Sequence, residues 1–123
     1  MKIKETITWL TKPEPTNFPA AHSYLSLLYE EKIVKSIVKQ LKVAPVTHFK
    51  AKDIFRASGL SLLGVSNTHI DKDKKKIKKN TPLSPILLVR DGALGKVIIA
   101  DGYHRMCAVY IFDEDAIIPC LIV

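Results

Sequence analysis

Five consecutive residues, Asp101-Gly102-Tyr103-His104-Arg105, gather a carboxylate, an imidazole and a guanidinium around one glycine. If a helix begins there, its first-turn N–H groups have no intrahelical partners and point at whatever lies before it, which is a ready anion site. Gly102 lets a ligand approach the backbone closely, because it has no Cβ. Arg105 can grip a phosphate bidentately, and His104, with an ordinary pKa near 6.5, can donate to it or move a proton. Asp101 has a bland reading as the helix cap, a role worth about 1 kcal/mol. Its other reading is as a base or a Mg²⁺ ligand beside the phosphate. The two cations are harder to explain structurally, since positive charge in a helix's first turn opposes the macrodipole by roughly 0.3–1 kcal/mol. Relief must come from a bound anion or from a carboxylate such as Asp101, Asp113 or Glu114.

The flanking pattern supplies the helix and what precedes it. Pro85 to Val89 and Val97 to Ala100 are β-branched apolar runs around the turn-forming Asp91–Gly95 stretch, which predicts a hairpin. Asp101-Gly102 ends the second strand, and Met106, Val109 and Tyr110 recur at helical spacing over 103–112. Ala116 to Val123 reads as a last strand, expected at a sheet edge or with Pro119 on an unpaired side, because proline has no N–H for a ladder.

Upstream, residues 1–18 read as an extended arm whose order depends on a groove for Trp9 and Leu10. Ala20, Tyr24, Leu27, Leu28, Val34, Val38 and Leu41 predict one long amphipathic helix, started near Asn17 and ended by Pro45. Ala51–Ser58 predicts a short helix capped by Gly59. Leu60 to Val65 is a short strand or a buried loop. Six lysines between Lys72 and Lys79 form a basic helix with Ile70 and Ile77 on one face, stopped by Asn80 and Pro82. The expected fold class is α+β: a small mixed sheet in one domain, with a helical extension over 1–50 and a strand, strand, helix, strand core over 51–123.

A chain of 123 residues makes one core, and its formal net charge of +7 favours polyanionic partners. No apolar run reaches the roughly 20 residues of a membrane span, and MKIKETITWLTKPEP has no secretory apolar region, so a cytoplasmic protein is expected. The two cysteines, Cys107 and Cys120, show no framework spacing and are expected as reduced, packed thiols. His22, His48, His69 and His104 show no metal-ligand spacing among themselves, so no metal is expected from protein clusters, leaving Asp101 as a Mg²⁺ ligand.

From the apolar segment at residue 60 to the end, this order of elements around a DG-x-HR corner resembles the ParB/sulfiredoxin superfamily. It is similar above all to small stand-alone bacterial members with an ADGYHR corner. Tyr103 stands where sulfiredoxins carry their catalytic cysteine. Only Gly102 and Arg105 match the Gly-Glu-Arg-Arg corner of partition proteins. Asp101, Gly102, His104 and Arg105 match the Asp-Gly-His-His-Arg corner of free-serine kinases. The resemblance implies a nucleotide or phosphate site at Gly102, Tyr103, His104 and Arg105, with Mg²⁺ accompanying a nucleotide and with Asn67 and His69 facing it. Ser84 is a further residue for that second side.

The leading expectation is therefore binding of a nucleotide or phosphorylated small molecule, with phosphotransfer or nucleotide hydrolysis through His104 and Asp101 as its catalytic form. Whether the protein is an enzyme stays open at this point. A second reading is a non-catalytic nucleic-acid-binding or nuclease-accessory module using Lys72, Lys75, Lys76 and Lys79. A third is a protein-interaction module presenting the amino-terminal helix.

Overall fold

A computed structural model describes residues 6–61 and 68–123. It is an α+β fold with five helices and a four-stranded mixed sheet. In chain order the elements are α1 (Asn17–Leu25), α2 (Glu31–Val43), β1 (Val46–Lys50), α3 (Ala51–Ser58) and α4 (Thr68–Lys78). They continue with β2 (Ile86–Asp91), β3 (Lys96–Asp101), α5 (Tyr103–Phe112) and β4 (Ile117–Ile122).

The strand order is β1-β4-β2-β3, with β1 antiparallel to β4, β4 parallel to β2 and β2 antiparallel to β3. Helices cover both faces, so the alternating residues of β2 enter two different cores. Ile86 and Leu88 pack with Ile54, Ile70, Ile77, Met106 and Val109 beneath α3, α4 and α5. Leu87 and Val89 pack with Ala21, Leu25, Val34 and Leu41 beneath α1 and α2. Cys107 and Cys120 are both buried without a disulfide, and burial pushes the Cys120 thiol up to about 12.

The hairpin, the helix over 103–112 and the Gly59-capped helix stand where the sequence places them. The single long amino-terminal helix does not form. Leu28 and Tyr29 both donate to the Leu25 carbonyl, which tightens the chain into a turn, and the Tyr29 hydroxyl donates to Asp91 Oδ2 at 2.7 Å in the hairpin. The predicted stripe is cut there: Leu25, Val34 and Leu41 are buried, whereas Leu27 is 83% exposed.

β4 is an interior strand, so of the two placements expected from Pro119 the edge is excluded and the unpaired side remains. Pro119 stands opposite His48 of β1, one residue before the pairing with β2 begins at Cys120. The amino-terminal arm does find a groove: Trp9 bridges Leu83, and Leu83 exchanges backbone hydrogen bonds with Thr8 and Leu10. Most of the 60–65 segment lies outside the described residues. Among the described residues, no helix is long and apolar enough to cross a membrane.

Candidate functional site

The corner between β3 and α5 is made by Gly102, whose φ of 105° lies in the region that L side chains rarely adopt. A Cβ at this position would sit 2.8 Å from Arg105 Nη2 and 2.9 Å from Ile86 Cγ1, so the backbone here packs directly on a core side chain. Among the described residues, no side chain caps the first turn of α5. The sequence assigns that cap to Asp101, but its carboxylate turns instead to Arg105, accepting from Nη2 at 3.0 Å.

Both partners of this i, i+4 pair are largely buried, at 17% exposed for Asp101 and 16% for Arg105. The same Nη2 lies 3.3 Å from the Pro85 carbonyl and 3.4 Å from Asn17 Oδ1. Arg105 Nε is buried with no partner among the described residues. Arg105 thus finds the carboxylate relief that the sequence offered in Asp101, and it ties the helix start to β3, to α1 and to the residue before β2.

Ser84 does not line the site either. It is buried behind the corner, donating to Asn17 Oδ1 at 2.5 Å and accepting from the Glu14 N–H at 3.0 Å. Asn17 was legible only as a helix start; its side chain joins the arm to the corner.

Across from α5 runs α4, and between them lies a cavity of about 240 Å³ lined by His69, Lys72, Asp73, Lys76, Asp101, Gly102, His104 and Arg105. The spacing of His69, Lys72, Asp73 and Lys76 puts one face of the basic helix opposite the corner. The His69 and His104 rings meet at 4.7 Å between centroids, and the Tyr103 ring follows His104 at 5.8 Å. Lys75 and Lys79, which the nucleic-acid reading groups with Lys72 and Lys76, are exposed and do not line this cavity. Asn67 lies outside the described residues.

Comparison with family models, with curated proteins and with solved structures yields no match to this chain.

The charges of the site are perturbed in opposing directions. Burial lowers the pKa of His104, with the neighbouring His69 and Arg105 acting in the same direction and Asp73 opposing them. Asp73 is only 8% exposed, and among the described residues no hydrogen bond or ion pair closes on its carboxylate. Burial raises its pKa although Arg105, Lys76, His104 and His69 all pull the other way, so desolvation outweighs four attractive neighbours. Asp73 is absent from the site residues that the sequence singles out. Its signal was periodic: Asp73 falls between Ile70 and Ile77 on the helix's buried stripe, where an apolar residue is the rule.

Asp73→Asn is therefore expected to stabilise the protein at pH 7 by about 1 kcal/mol, a rise in Tm of roughly 3–5 °C. Since the folded-state pKa is raised above that of the unfolded chain, the penalty exists above the folded value and vanishes below the unfolded one. Thermal melts from pH 7 to pH 4 should show the advantage of asparagine shrinking as the pH falls. An asparagine variant less stable than wild type at pH 7 would mean that the carboxylate is satisfied in a way the geometry does not reveal.

In chemical terms the cavity joins the first-turn amides of α5, two lysines, two imidazoles and the buried carboxylate of Asp73. Such a set can hold an anion and move a proton. Among the described residues no group of three His, Cys, Asp or Glu side chains converges as a metal site.

Proposed function

We propose that this chain is a domain of the ParB/sulfiredoxin type that binds a phosphorylated small molecule, nucleotides included, in the cavity between α4 and α5. The observation that carries the reading is the convergence of Lys72 and Lys76 with the uncapped first turn of α5 on one cavity. Each element alone has an ordinary structural explanation; together they oppose positive potential across a space of about 240 Å³. The phosphate is held by the backbone N–H groups after Gly102 and by Lys72 and Lys76, while Arg105 keeps the corner rigid from behind. His104 borders the same space, with its pKa lowered by burial, and is the group placed to accept a proton from a bound hydroxyl or water.

The reading favours a small anion over a nucleic-acid backbone, because Lys72 and Lys76 border the cavity and Lys75 and Lys79 do not, so the four lysines are divided between two surfaces. A thermal-shift panel of nucleotides and inorganic phosphate, with and without Mg²⁺, tests this reading. A ligand at a hundredfold its Kd adds about 2.7 kcal/mol of stability. Lys72→Ala with Lys76→Ala is expected to weaken phosphate-ester binding by roughly tenfold or more, at about 1.5–3 kcal/mol for charged hydrogen bonds. Lys75→Ala with Lys79→Ala should leave it unchanged. A steep loss of DNA or RNA affinity with salt, sensitive to Lys75 and Lys79 and blind to Lys72 and Lys76, would replace the proposal with the nucleic-acid module.

A further inference from the structure

The corner has a second flank. On the side of Gly102 away from the lysines lies a larger cavity, about 420 Å³, lined by Ala20, Tyr24, Leu60, Ile99, Ala100, Asp101, Gly102, Tyr103 and His104. Asp101, Gly102 and His104 border both spaces, so the two are neighbours across one turn of backbone. Their linings differ in kind. The first is dominated by charged side chains, whereas the second is walled by Tyr24 from α1, Tyr103 from α5, and Leu60 and Ile99.

Three rings, Tyr103, His104 and His69, run in sequence from the apolar cavity into the basic one, at centroid separations of 5.8 Å and 4.7 Å. The Tyr103 hydroxyl donates to the Ser61 carbonyl, which fixes that ring against the cavity wall. Tyr24 is 41% exposed and lines the same cavity, although the helical pattern assigns it to the buried stripe of the amino-terminal helix. Two tyrosines lining one largely apolar space are suited to a flat ring.

Building on the phosphate reading above, we infer that the ligand carries a planar aromatic group, and that this group occupies the cavity between Tyr24 and Tyr103 while its phosphate lies across the corner against Lys72 and Lys76. The ligand class is thus an aromatic phosphate ester, of which nucleoside monophosphates and simple aryl phosphates are two sources. This assigns a role to α1: it supplies one wall of the ring site, and its first residue, Asn17, reaches the corner through Arg105. The aliphatic phosphate esters, which can fill only the basic cavity, are the weaker ligands.

Calorimetric titration of the intact protein with inorganic phosphate, glycerol 3-phosphate, phenyl phosphate, AMP and CMP tests the inference. The aromatic esters should bind on the order of tenfold or more tightly than glycerol 3-phosphate, the gain expected of stacking one ring on aromatic side chains. Tyr24→Ala, a change at a half-exposed position, should erase that gain without altering the affinity for glycerol 3-phosphate, and Tyr24→Phe should restore it. A preference for AMP or CMP over phenyl phosphate identifies a nucleotide as the source, and equal binding identifies the bare aryl ester; either outcome supports the ring site. Equal affinity for aromatic and aliphatic esters, or a gain that survives Tyr24→Ala, overturns it while leaving the phosphate site standing. Absence of binding by every phosphate compound, inorganic phosphate included, overturns both.

Discussion

Replacing Arg105 with methionine is expected to lower the unfolding free energy by about 3–5 kcal/mol, the range for removing one partner of a buried ion pair. The magnitude follows from what stays behind. Asp101 would keep a largely buried carboxylate without its guanidinium, and the Pro85 carbonyl and Asn17 Oδ1 would lose the donor they share. The double variant Arg105→Met with Asp101→Asn should recover a substantial part of the loss, because it also removes the stranded charge. Equilibrium urea unfolding of the four proteins in this cycle measures the coupling directly. A single Arg105→Met variant as stable as wild type would show that the corner is held by backbone packing alone, and Arg105 would return to consideration as a ligand-binding group.

Gly102→Ala should come next in size, at roughly 2–5 kcal/mol. Two contributions add here. A φ of 105° strains any residue with a Cβ, by about 1–3 kcal/mol. The new methyl must also displace Ile86, a fully buried side chain of the central strand, and overpacking of this kind costs about 1–3 kcal/mol. Gly95 provides the control, since its φ of 65° is also positive but nothing lies within 4 Å of its would-be Cβ. Gly95→Ala therefore carries the strain without the clash and should be clearly milder. Denaturation of both variants side by side separates the two contributions, and equal losses would argue that Ile86 moves aside freely.

The parts of this molecule that were legible in its sequence are those where local chemistry and tertiary packing agree. The hairpin, α3 with Gly59, α4 with Ile70 and Ile77, and α5 each carry their own periodicity and punctuation. β1 went unread because Val46–Lys50 is almost entirely exposed, so no apolar alternation marks it. Its strand character comes from pairing with β4, a partner some seventy positions away, as the Thr47 hydroxyl bonded to the Cys120 carbonyl illustrates. The break between α1 and α2 was hidden for a related reason. No glycine or proline interrupts residues 26–30, and the turn is stabilised by Tyr29 reaching Asp91 in the distant hairpin.

At the site, the corner residues were identifiable but their division of labour was not. Arg105 looks like an anion clamp in one dimension. In three it is drawn to Asp101 one helical turn away, and to Asn17 far up the chain. The lysines looked like a separate surface, and only the packing of α4 beside α5 brings Lys72 and Lys76 to the same cavity as His104. Asp73 was the residue whose position broke a pattern, and broken patterns are where binding sites tend to be found.

The strand order has a consequence for how the protein must be born. β4 is the last of the four strands to leave the ribosome, yet it lies between β1 and β2 and is their only bridge in the sheet. Until it emerges, β1 is a lone extended segment and the β2 margin of the β2–β3 ribbon is bare, so vectorial synthesis leaves a gap that β4 must close. Nascent chains arrested just before β4 should accordingly stay protease-sensitive throughout, with β1 waiting for a neighbour that is still being made.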